Sequence, residues 1–200
     1  MSDFWSCPPL WEGETAILLA GGESLRGFDA SALIGRKVLA IKEACILAPW
    51  APVMFFADNC WFERERNLVE WFPGEVITVS KASRALPKCK VMRRGPREGI
   101  CEERHVLAGS WTSVHYALNL LKHLGVARIG VLGVDLVGRR WHDRNPAPPA
   151  PENFVKMGAA LASTAAPLAA AGIEVVNCSP GGALEIWPRM PLEAFLCAHT

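Results

Sequence analysis

The most constraining feature of this sequence is a series of short runs that stay apolar from end to end. AILLA (16–20), KVLAI (37–41), VMFFA (53–57), EVITV (75–79), RIGVLG (128–133) and IEVV (173–176) show almost no polar alternation. A strand with one wet face alternates, so continuous apolar strands predict a sheet covered on both sides, with parallel pairing. Helical patterns lie between several of these runs. In SVHYALNLLKHLG, Val114, Ala117, Leu118, Leu121 and Leu124 make one apolar stripe, and Gly125 supplies a stop. A second helix is expected from about Glu152 to Ala171, kinked or divided at Pro167. RNPAPPAP (144–151) suits a surface loop leading into it. Alternating strands and helices predict an α/β fold with a doubly wound, mostly parallel, Rossmann-like sheet. Residues 1–200 read as one domain, with an irregular N-terminal segment over 1–14 and no internal repeat.

The 200 residues are half apolar and one-fifth charged, which is globular composition. A net charge of +1 gives no whole-protein field to draw the chain onto nucleic acid or membrane. No apolar run is long enough to span a bilayer. MSDFWSCPPLWEGE lacks a basic stretch followed by an apolar core, so a cytoplasmic protein is expected. The seven cysteines are widely spaced, with no CxxC, and predict reduced thiols rather than a zinc site.

Polar and small residues collect just after the strand-like runs, where a doubly wound fold holds its ligand. LLAGGESLRGF (18–28) passes from aliphatics to Gly21, Gly22 and Ser24. Such a turn either only closes the fold or presents amides, with the Ser24 hydroxyl, to a phosphate. Thr112 and Ser113 open the strongest helix, as an N-cap or as an anion site. Lys42, Asp58 and Asp135 follow three other strands. The two carboxylates are capping groups, or magnesium ligands if the fold gathers them with Asp143; there is no DxD pair. His142, in WHDRNP, has the most polar surroundings of the five histidines and is the candidate general base. Residues 81–97 hold seven basic side chains and no acid, a local positive surface for an anionic acceptor or DNA, or simply a solvated edge.

Five segments taken in order carry a family resemblance: LLAGGESLRGFD, VLAIKEACILAPWAPVMFFAD, TSVHYALNLLKHLGVARIGVLGVDL, RRWHDRNP and GIEVVNCSPGGALEIWP. Over about Ala16 to Phe195 the chain resembles short phage and prophage proteins labelled "norphogenetic protein". More distantly it is similar to the bacterial sialyltransferases of glycosyltransferase family 42 and to archaeal 6-hydroxymethylpterin pyrophosphokinases. The resemblance implies a nucleotide site in which Gly21, Gly22, Ser24, Thr112 and Ser113 hold phosphate or ribose. It also implies Asp135 near the nucleotide or sugar, and His142 as the base. The chain departs from those patterns at Glu23, where proline is usual, at Lys42, where asparagine is common, and at Val114, where glycine follows Thr-Ser.

Three functions are expected from these features. The first is a metal-independent, inverting glycosyltransferase using a nucleotide-sugar donor, CMP-linked by resemblance only. The second is a magnesium-dependent pyrophosphokinase on the same fold, with ATP as donor. The third is a non-enzymatic phage accessory protein, in the host cytoplasm, that binds DNA or a virion protein through residues 81–97. The oligomeric state is left open.

Overall fold

A computed structural model of the chain describes residues 4–142, 144 and 149–198. Among the described residues nine strands form: β1 (Thr15–Leu19), β2 (Lys37–Ile41), β3 (Val53–Phe56), β4 (Glu75–Thr78), β5 (Cys89–Val91), β6 (Arg93–Arg94), β7 (Val106–Leu107), β8 (Arg128–Leu132) and β9 (Glu174–Asn177). Seven make one parallel sheet in the order β5-β4-β3-β2-β1-β8-β9, while β6 and β7 pair separately. The fold is the α/β, Rossmann-like one the sequence predicts. The chain steps outward from β1 to β5, then returns to place β8 on β1's other side. The switch point of the sheet therefore lies between the carboxyl ends of β1 and β8.

The continuous apolar runs are explained by two cores, one on each face. Successive side chains of a strand point to opposite faces, so both parities must be apolar. Leu18, Leu39, Phe55, Ile77 and Val131 meet α4 (Ser113–Leu124) and α5 (Pro151–Ala170) on one side. On the other, Ile17, Leu19, Val38, Met54 and Phe56 pack against α1 (Ala44–Leu47), α2 (Asn59–Arg64), α3 (Arg66–Trp71) and α6 (Leu192–Cys197). Helix α4 ends as its sequence predicts, with Gly125 at φ +90°.

Helix α5 runs unbroken through Pro167, contrary to the expected division. Pro167 has no N–H to give the Ser163 carbonyl, so the helix continues with one bond missing there. The Ser163 and Thr164 hydroxyls there bond back to the Ala160 and Leu161 carbonyls. Residues 4–14 hold neither helix nor strand and are tied down by backbone bonds from Trp5 to Val91 and from Trp11 to Leu124. No helix among the described residues is long and apolar enough to cross a membrane. Burial pushes the thiols of Cys7, Cys45 and Cys178 up to about 12, so these three act as packing groups.

His115 and His123 lie buried along α4, their Nε2 atoms 2.8 Å from the Gly99 carbonyl and 2.9 Å from the Val106 carbonyl. Burial lowers both pKa values below the ordinary 6.5, outweighing those hydrogen bonds. The unfolded chain therefore takes up protons first as pH falls. Their contribution to stability is complete above about pH 6.5 and declines below it, toward the folded pKa. The urea midpoint is expected to drop between pH 7.5 and pH 5.5, and less steeply in a His115→Gln/His123→Gln variant. Equal slopes in the two proteins would refute this account.

Candidate functional site

A cavity of about 370 Å³ opens at the carboxyl ends of the strands, across the switch point. Gly21, Gly22, Lys42, Asp58, Thr112, Ser113, Asp135 and His142 all line it. The turns after β1 and before α4, 90 residues apart in sequence, thus face one space.

Ser24, Gly22 and Asp135 are tied together where the ends of β1 and β8 meet. Both Asp135 carboxylate oxygens accept from Ser24, one from its backbone N–H at 2.7 Å and one from its hydroxyl at 2.6 Å. The Ser24 hydroxyl therefore donates to Asp135, not toward a phosphate, and Ser24 is absent from the lining. Asp135 is 5% exposed, and this clasp occupies it instead of leaving it to a substrate. The Gly22 N–H donates to the Gly133 carbonyl at 2.7 Å. A Cβ at Gly22 would lie 2.5 Å from the Asp135 carboxyl carbon and 2.6 Å from the Gly133 carbonyl oxygen. Gly22 is required because two strand ends touch there. Gly21, with nothing within 4 Å of a Cβ, carries the open side of the turn.

Lys42 and Asp58 form an ion pair across the ends of β2 and β3. Asp58 occupies the N-cap position of α2 but makes no capping bond, its carboxylate turning to Lys42 instead. Among the described residues no three His, Cys, Asp or Glu side chains converge as a metal site, and Asp143 lies outside the described residues.

At the start of α4, Thr112 accepts from the Val114 amide as a normal N-cap. The Ser113 hydroxyl beside it is buried and has no partner among the described residues. Three residues other than glycine have positive φ among those described: Lys42 (+55°), Trp111 (+56°) and Leu136 (+55°). All three line this cavity. Each conformation costs on the order of 1–3 kcal/mol, and such strain clusters at functional sites.

His142 closes the far wall, its side chain 6% exposed. Its Nε2 lies 3.7 Å from a carboxylate oxygen of Glu43, and its Nδ1 is buried without a partner among the described residues. Glu43 is 2% exposed and accepts from the Trp61 indole N–H at 2.9 Å. Burial lowers the His142 pKa, the Glu43 charge opposes this, and the Arg140 and Arg144 charges add to the lowering. The imidazole is thus neutral near pH 7, in the form that accepts a proton.

Glu43 escapes sequence reading because it sits two residues past a strand end, where a glutamate signals nothing by itself. Arg94 escapes for another reason. It lies within the basic stretch, but it donates to the Ala57 and Val79 carbonyls and lines the cavity. Of its neighbours, Lys88 bonds to the Glu70 and Phe72 carbonyls, Lys90 pairs with Glu75 and Arg93 with Glu103. Much of the expected positive surface is thereby neutralised or turned inward.

The two adjacent glycines make a paired test of this geometry. Gly22→Ala must push rigid backbone apart and is expected to cost about 1–3 kcal/mol, whereas Gly21→Ala enters open space. Urea unfolding of both variants measures the difference. Equal losses would contradict the assigned contact between β1 and β8.

No protein-family model matches the chain, and neither does any curated protein. Among solved structures it is similar to the sialyltransferase CstII from Campylobacter jejuni, analysed in complex with the substrate analogue CMP-3FNeuAc. The two share 13% identity with a TM-score of 0.57, over 88% of this chain and 86% of that one. At that identity the likeness establishes a common fold.

Proposed function

We propose that this protein is an inverting glycosyltransferase that takes its sugar from a nucleotide-linked donor. The observation that carries this reading is the meeting, in one cavity, of an anion-favouring helix start with a buried neutral imidazole. The first-turn amides of α4 have no intrahelical partners, the helix dipole favours negative charge there, and the Ser113 hydroxyl is an unused donor among the described residues. Gly21, Lys42, Asp58, Thr112 and Ser113 form the donor side in this reading. Because the solved structure sharing the fold was analysed with a CMP-sugar analogue, CMP-linked sugars are the first donors to try.

The acceptor hydroxyl gives its proton to His142 at Nδ1, the nitrogen turned away from Glu43. The acceptor oxygen's electron pair forms the new bond to the anomeric carbon from the face opposite the leaving group. The bond from that carbon to the donor phosphate breaks, and the nucleotide leaves with its electron pair. The helix start stabilises charge that grows on the phosphate during this step. Glu43, fixed by Trp61 and 3.7 Å from Nε2, offsets the positive charge that His142 acquires. The Asp58 and Asp135 carboxylates already hold Lys42 and Ser24, so the reading routes no step through a metal.

At 100 times its dissociation constant, CMP should stabilise the folded protein by about 2.7 kcal/mol, seen as a higher melting temperature. His142→Ala should keep that shift and lose about 10²–10⁴-fold in sugar transfer. Turnover should rise with pH through a midpoint below the ordinary histidine value, because only the neutral ring accepts a proton. Glu43→Gln removes the larger of the two charges, Glu43 and Glu65, that raise that pKa, and should move the midpoint lower still. Unchanged transfer by His142→Ala would end the base assignment.

A further inference from the structure

Trp111 stands at the mouth of the cavity in a conformation that packing does not explain. Its φ is +56°, and the Thr112 N–H reaches across it to the Ser110 carbonyl at 2.5 Å, closing a strained three-residue turn. The Ser110 hydroxyl anchors that turn to the Arg97 carbonyl at 2.6 Å. A bulky side chain in this backbone state is a genuine outlier, and Trp111 is 48% exposed. Two cations attend the indole, the Lys156 ammonium 4.6 Å and the Arg97 guanidinium 5.8 Å from the ring centre. Neither pairs with a carboxylate among the described residues. Phe154 and Met157, from the same helix as Lys156, add apolar wall to the cavity beside the ring.

We propose that Trp111, Lys156 and Arg97 form the acceptor subsite, and that it takes a sugar carrying a carboxylate or phosphate. The indole face meets the C–H face of the sugar ring, and the unpaired cations take the anionic substituent. This rests on the transferase reading for the word acceptor, but the binding itself is measurable without a donor.

The probes are methyl glucuronide, methyl glucoside 6-phosphate and neutral methyl glucoside, titrated calorimetrically at low salt. Both anionic probes should bind at least tenfold more tightly than the neutral one. Lys156→Ala/Arg97→Ala should erase that preference. Trp111→Gly should weaken all three probes about tenfold or more. Glycine accepts positive φ freely, so this variant should melt no lower than the parent and should keep its thermal shift with CMP. Equal binding of charged and neutral sugars, no sugar binding, or unchanged sugar binding by Trp111→Gly would overturn the subsite. Loss of the CMP shift in Trp111→Gly would place the ring on the donor side and also overturn it. Sugar binding in a parent protein that ignores CMP and every other nucleotide would leave the subsite standing while removing the transferase reading.

Discussion

The joint between β1 and β8 is the constraint on which the rest of the molecule depends. Only there does the chain bring a late strand beside the first one, and only there does the sheet reverse its order of growth. Three local devices make the joint: a glycine with no room for a side chain, an amide bonded to the Gly133 carbonyl, and a carboxylate clasped by a serine. Ser179, two residues past β9, reinforces it, its hydroxyl accepting from the Gly133 N–H at 3.0 Å. The cavity exists because these strand ends meet closely while the helices that follow them diverge.

That joint also explains why sequence reading succeeds for the fold and only partly for the site. An apolar run on a two-faced sheet has one physical explanation, and all six runs became strands, KVLAI over the residues quoted. The short β5 carries Lys90 and sits at the sheet edge, where burial no longer demands an apolar sequence, so it left no such trace. At the site, Gly22 and Ser24 look like phosphate ligands because the same small residues serve close backbone approach. Nothing along the chain distinguishes the two uses until Asp135 arrives from another strand. His142 was visible as a polar-loop histidine, whereas its burial and its neighbour Glu43 are products of tertiary packing alone.

Backbone strain outside glycine concentrates on one side of the molecule. Lys42, Trp111 and Leu136, all lining the cavity, are held in a backbone state that suits glycine. The body of the sheet shows the opposite character, with dense apolar packing on both faces. A fold that places its compromises together keeps them away from the residues that stabilise it.

The clasp between Ser24 and Asp135 spans 111 positions of sequence. As the polypeptide leaves the ribosome, β1 can acquire β2 on one flank early. Its other flank stays bare until β8 has been synthesised and brought back. During that interval the nascent chain carries an open, aliphatic strand edge at what will become the middle of the sheet. Such an edge is a template for mispairing. Completion of the ligand cavity and concealment of this edge are therefore one event, so a chain truncated before Arg128 would lack both.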